Sequence, residues 1–157
     1  MSIIISIASL LISLSTCIYN ALSKRKKISL SILEYYYGYG ENQFLLSIEN
    51  CSHLPISISR IFITIGNKSY ECRKIPTVVR ITKHIEEQNV KINEISTLPI
   101  PIPLASLGGL SGYVVFPKSP KVFENQDTLV NFQLYTNRGK IKSLKVPLES
   151  TCRQRTS

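Results

Sequence analysis

The chain has no tryptophan, one methionine, one aspartate (Asp127), two histidines (His53 and His84) and three alanines (Ala8, Ala21 and Ala105). Each shortage excludes something. So little Asp and His leaves most hydrolytic and metal-dependent chemistry without its working groups. So little Ala argues against a helical bundle, which would lack its best helix former. What is plentiful points elsewhere. Ile is the commonest residue, Ser follows closely, and there are eight tyrosines. β-Branched and aromatic side chains suit a pleated sheet. A hydrophobic content of 43% is enough for a core and excludes a disordered chain. At 157 residues, the length fits one domain with little left over.

Charge is missing altogether from Ile3 to Leu22. Twenty helical residues span about 30 Å, the thickness of a bilayer's hydrocarbon core. Lys24, Arg25, Lys26 and Lys27 follow at once, and no charged side chain precedes the stretch. The expected organisation is a transmembrane helix over 1–23, a basic juxtamembrane stop over 24–27, a β-domain over 28–149 and a polar tail over 150–157. Positive charge stays inside, so the domain is expected on the cytoplasmic side, with the four basic residues also able to meet lipid heads. A cleaved signal peptide carries its positive charges before the apolar run, not after it. Leu14-Ser15-Thr16-Cys17 faintly resembles a lipoprotein cleavage site but lacks the basic leader. These two readings keep an alternative open: an extracytoplasmic, lipid- or signal-anchored envelope accessory or adhesin domain.

Within the helix, Ser2, Ser6, Ser9, Ser13, Thr16, Asn20 and Ser23 recur at intervals of four and three. That makes a seam of small polar residues on one face. Ser6, Ser9, Ser13, Thr16 and Asn20 are the expected packing positions against another helix, which would make the chain a helix-mediated oligomer. The bland reading is that these hydroxyls bond back to their own helix carbonyls.

From Ile28 the pattern alternates with period two. Ile28, Leu30 and Ile32 oppose Ser29 and Ser31, and Phe44, Leu46 and Ile48 oppose Gln43, Ser47 and Glu49. Leu45 is the one apolar exception. Ile56 and Ile58 give way to Ile61, Ile63 and Ile65, a phase slip of the kind a bulge produces. Gly66-Asn67 reads as a hairpin turn, Gly38–Asn42 joins the first two strands, and Asn137-Arg138-Gly139 closes a hairpin between Thr128–Thr136 and Lys140–Leu148. Thr77–Lys83 reads as a strand, and Ile85–Ile95 fits strand, helical turn or loop. Pro99, Pro101 and Pro103 mark an edge strand or an extended segment, and Leu107–Gly112 reads as a glycine turn. Seven to nine short strands in this span predict an all-β fold, an immunoglobulin-like antiparallel β-sandwich behind one membrane helix.

The chemistry-bearing residues do not assemble into a catalytic set. Cys51 and His53 share a loop without an orienting third group. Glu86 and Glu87 point apart on a strand, and no zinc, calcium or phosphate-loop spacing occurs. Of the four cysteines, Cys17 lies in the membrane stretch and Cys152 in the tail; only Cys51 and Cys72 could meet, and in a cytoplasmic domain they are expected to be free thiols. Asn50 and Asn67 begin glycosylation patterns, which short sequences generate by chance. The expectation is a non-enzymatic interaction or scaffolding module with no cofactor, no metal and no small-molecule substrate. Its protein partner is unidentified, and the candidate partner surface is Tyr35, Tyr37, Arg138, Lys140 and Lys142. The basic hairpin lacks the interleaved exposed aromatics of single-strand binders, which argues against nucleic acid. The net charge of +9 divides as +4 at 24–27, +2 at Arg153 and Arg155, and +3 in the domain. Most of the excess is therefore outside the domain, and the larger part of it is the topology signal at 24–27.

Overall fold

A computed structural model describes residues 2–23, 27–86, 89–122, 129–141, 143–147 and 153–154. Among the described residues, one helix, α1 (Ser2–Ser23), precedes twelve strands. These are β1 (Ile28–Gly38), β2 (Glu41–Asn50), β3 (Ile56–Ile65), β4 (Lys68–Glu71), β5 (Val78–Glu86), β6 (Asn89–Ser96), β7 (Ile102–Leu104), β8 (Gly109–Phe116), β9 (Leu129–Thr136), β10 (Gly139–Lys140), β11 (Leu144–Pro147) and β12 (Arg153–Gln154). The chain is mostly β, and its sheets are built almost wholly from antiparallel pairs, as the alternation predicts. Counted over the described side chains alone, no helix is long and apolar enough to cross a membrane.

The first sheet has the order β12-β1-β2-β8. The second runs β10-β9-β3-β4, with β11 also on β9 and β7 also on β3. One hydrophobic core draws on both sheets. Phe44 of β2 meets Phe116 of β8 at 5.8 Å and Phe132 of β9 at 5.5 Å, both edge to face. Edge-to-face contact sets the positive ring edge against the negative face of its neighbour, an attraction added to the area buried. All three rings are fully buried, as are Leu46, Ile48, Ile58, Ile61, Ile63 and Leu134.

Among the described residues, three bulges set the phase of the strands. Ser59 is extra between Ile58 and Arg60 of β3, so Ile56, Ile58, Ile61 and Ile63 all reach the core. The slip read in the sequence is therefore a bulge inside one continuous strand. A second, at Leu33, lies between Ile32 and Glu34 of β1. The third, at Val79, lies in β5. At its described residues the ambiguous stretch Ile85–Ile95 is strand, the end of β5 and most of β6, paired antiparallel. Much of the predicted glycine turn is strand, because β8 begins at Gly109. Gly112 is needed there: a Cβ would collide with the Leu98 side chain. β12 lies within the segment read as a polar tail and pairs in parallel with Glu34 and Tyr35.

The β5–β6 hairpin belongs to neither large sheet but is tied to β8. Leu98 N donates to Tyr113 O at 2.8 Å, Arg73 N donates to Val115 O at 2.8 Å, and Thr77 N donates to Thr97 Oγ1 at 3.0 Å. Arg73 also reaches the Glu41 carboxylate at 2.6 Å. These bonds hold the start of β5 beside the outer face of the first sheet.

A buried amide fixes the same end of that sheet from its inner side. Asn42 is fully buried and its Oδ1 accepts the Tyr35 hydroxyl at 2.8 Å. Its Nδ2 donates to Ser119 Oγ at 2.6 Å and to Pro120 O at 2.7 Å. Asn42→Ala strands these partners without hydrogen bonds in a dry site, at about 1–3 kcal/mol for each unsatisfied group. The expected outcome is a fall of about 3 kcal/mol or more in urea-unfolding stability with an unchanged m-value. A loss below about 0.5 kcal/mol, typical of a plain surface change, would contradict this role.

Candidate binding pocket on the first sheet

Tyr35 and Tyr37 were expected on the surface, and the bulge at Leu33 reverses that. Without it, the inward phase of Ile28 and Ile32 would continue to Glu34 and Tyr36. The extra residue moves the inward position to Tyr35, which is 5% exposed. Tyr37 packs against the core beside it. Glu34 and Tyr36 turn outward instead. The tyrosine cluster does divide between core and surface, with the two sets exchanged.

The register builds a site on that outer face. Glu34 of β1, Leu45 of β2 and Tyr113 of β8 stand in one row across three strands. Neighbouring strands lie about 4.8 Å apart, so Glu34 and Tyr113 are separated by roughly two spacings. Their side chains close that gap: Tyr113 Oη donates to Glu34 Oε2 at 2.7 Å. Leu45 occupies the position between them, which explains its break in the alternation. An apolar residue there gives the bridge a dry base. Tyr36 and Gln43 form the next row.

Gly38 lets Tyr36 lie flat, because a Cβ at 38 would come within 2.5 Å of the Tyr36 hydroxyl. Tyr39 follows in the turn, with a left-handed backbone (φ 53°) and a wholly solvent-exposed ring. Together with Gly40 (φ 72°), this gives two successive positive-φ residues between the paired strands β1 and β2, the pattern of a type I′ hairpin. On the third side stand Val78, Val79 and Arg80 of β5. These groups enclose a cleft of about 510 Å³. Burial raises the Tyr113 hydroxyl above its ordinary value of 10, the Glu34 carboxylate adds to the rise, and the positive charge of Arg80 opposes it. Tyr113 therefore remains a donor to Glu34 at neutral pH, with Arg80 on the opposite wall of the cleft.

The remaining expected positions scatter. Lys140 stands over the Tyr135 ring at 5.5 Å, and Arg60 stands over Phe62 at 4.8 Å. The basic hairpin therefore does have aromatic neighbours, Tyr135 and, across the sheet, Phe62. Arg138 sits half-buried in the turn, with its backbone N donating to Thr136 Oγ1. Lys142, Lys24, Arg25, Lys26, Asp127 and Cys152 lie outside the described residues, as do the side chains of Asn20 and His84. Lys27 is exposed just before β1. Ser6, Ser9, Ser13 and Thr16 are all exposed on α1, and Thr16 bonds to its own helix at Ile12 O, 2.9 Å away. Cys17, Cys51 and Cys72 are free thiols. Cys51 and His53 are exposed in the loop after β2. Asn50 is 1% exposed and its amide is committed to Leu54 O and Ala105 O, so the folded domain hides that glycosylation pattern.

No protein-family model matches the chain, and no curated protein matches it.

On the second sheet, Arg60 grips Glu71 through two bonds of 2.8 and 2.9 Å. That hydrogen-bonded guanidinium, helped by Lys74, holds the Glu71 carboxyl at about 2, down from an ordinary 4.5. A depressed carboxyl stabilises the fold above its unfolded value and loses that contribution as pH falls through its folded one. Stability is therefore expected to drop between pH 4.5 and about 2. Glu71→Gln should flatten part of that acid limb in urea unfolding measured across the range. An identical limb in the variant would remove Glu71 from the account.

Proposed function

We propose that this is a non-enzymatic, single-pass membrane protein. In this reading, α1 anchors an immunoglobulin-like β-sandwich that serves as an interaction module at the cytoplasmic face. The observation that carries the membrane part is the environment of α1. Ile5, Ile7, Leu10, Leu11, Ile12, Leu14 and Ile18 are all more than half exposed. They cover all of the helix but the side that carries the seam of Ser6, Ser9, Ser13 and Thr16, where the groups are small and uncharged. A helix so broadly apolar needs lipid or protein around it. Over the whole sequence, Ile3–Leu22 carries no charge and ends beside four basic residues, so lipid fits the length and the flank.

The immunoglobulin-like part rests on strand order. β1-β2-β8 follows the order A-B-E, and β4-β3-β9, with β10 and β11 beyond, follows C′-C-F-G. The Phe44–Phe132 contact joins the two sheets across the core. The β5–β6 hairpin is then an insertion ahead of the strand in the E position. The non-enzymatic reading rests on the scarcity of Asp and His and on the separation of the remaining reactive groups in the fold.

Cys51 supplies the topology test. It is exposed, whereas Cys72 is 4% exposed and burial lifts its thiol to about 11. In a Cys17→Ser, Cys152→Ser chain, Cys51 is the reactive reporter. A membrane-impermeant maleimide should leave intact cells unlabelled and label them after lysis, with the chain remaining in the pellet after alkaline carbonate washing. Labelling of intact cells would put the domain outside. Release by carbonate would remove the membrane span.

A further inference from the structure

We propose that the cleft beside Tyr36 is a carbohydrate-binding site that takes a neutral sugar ring. The proposal goes beyond the anchoring role and does not depend on which side of the membrane holds the domain.

The first argument is the aromatic surface. Tyr36 lies flat over Gly38, as the absence of a Cβ there allows. Its ring borders the cleft and can serve as a stacking platform. Tyr39 stands at the end of the cleft in a turn position that favours Gly, Asn or Asp. A fully exposed ring on a left-handed backbone brings the fold no packing to offset that cost. Such outliers persist where the side chain serves a site. The bulges at Leu33 and Val79 stand on opposite sides of the same cleft. Bulges re-aim side chains and are enriched beside binding sites.

The second argument is charge. Glu34 and Arg80 both line the cleft, with Tyr113 beside them and its hydroxyl donating to Glu34. An organic cation drawn to Glu34 meets Arg80, and a phosphate drawn to Arg80 meets Glu34. A neutral polyhydroxyl ring can use both. Its hydroxyls donate to the carboxylate, accept from the guanidinium and do either with the Gln43 amide. Its C–H face carries slight positive charge and suits the negative face of a tyrosine ring. The volume, about 510 Å³, falls among small-molecule pockets.

The absence of tryptophan makes tyrosine emission a direct readout. The full chain, in micelles of a detergent without a sugar head group, would be titrated with maltotriose, cellotriose and chitotriose. Saturation-transfer NMR would follow the sugar protons. At least one sugar is expected to give a saturable emission change and transfer concentrated on one ring face. Tyr36→Ala and Glu34→Gln should each weaken binding roughly tenfold or more. Tyr39→Gly is the folding-safe variant, since it removes the ring and suits the backbone; it should weaken binding while the thermal midpoint holds or rises. Spermidine and oligothymidylate serve as the cation and nucleic-acid probes. The proposal is overturned if none of the sugars binds, if sugar binding is unchanged in Tyr36→Ala and Tyr39→Gly, or if only spermidine or oligothymidylate competes for the tyrosines.

Discussion

One extra residue in the first strand governs most of what is distinctive in this domain. Leu33 shifts the phase of β1 halfway along its length. Below the bulge, Ile28 and Ile32 reach the core; above it, Tyr35 does. A slip of one residue moves every later side chain to the other face of a sheet. Tyr35 can then give its hydroxyl to Asn42, and Glu34 and Tyr36 can face outward toward Tyr113 and Gln43. The buried polar anchor and the outer cleft are therefore two consequences of the same bulge. Moving it would lose both.

The anchor is polar because the chain turns there. Residues 119–122 cross the end of the core just after β8, outside any sheet ladder. Their backbone groups still require partners once water is excluded. Asn42 provides both kinds: its Nδ2 donates to Pro120 O at 2.7 Å, and its Oδ1 accepts from Val122 N at 3.4 Å. An amide carries donors and an acceptor in one small group, which an apolar side chain could not replace. Asn50 does similar work at the far end of β2, donating to Leu54 O and Ala105 O while Ser52 N donates to its Oδ1 at 3.0 Å. The Phe44, Phe116 and Phe132 cluster thus lies in a core whose ends are closed by buried asparagines on one strand.

What the sequence made legible follows from period two. The β3 bulge showed because isoleucines stand on both sides of it, and the phase slip is visible as Ile58 followed by Ile61. The β1 bulge was hidden because tyrosine fits either face, so Tyr35, Tyr36 and Tyr37 carry no phase information. Leu45 was a true signal seen without its meaning. It departs from alternation because Tyr113, nearly seventy residues later, reaches Glu34 across it. Spacing along the chain cannot show a row that spans three strands. The Leu107–Gly112 stretch misled for a related reason: Gly109 and Gly112 serve close approach to β2 and Leu98 within a strand, rather than a turn. In the sequence Asn42 falls in a joining segment and Asn50 in a glycosylation pattern, since only burial distinguishes an anchor from a solvated amide.

The placement of the cleft bears on the proposed anchoring by α1. β1 begins at Ile28, one residue after the basic stop, and ends at Gly38. A strand rises about 3.3 Å per residue, so Tyr36 lies roughly 26 Å along β1 from its first residue. Tyr39, in the turn beyond, stands farther still. With α1 in the bilayer, β1 enters the domain from the membrane end and carries the aromatic residues toward the opposite end. The hairpin that walls the cleft is bound to β8, the far strand of the same sheet, so the wall is fixed to the surface it faces. The strand that follows α1 in the chain therefore sets the phase of the core and turns Glu34 and Tyr36 to the outer face.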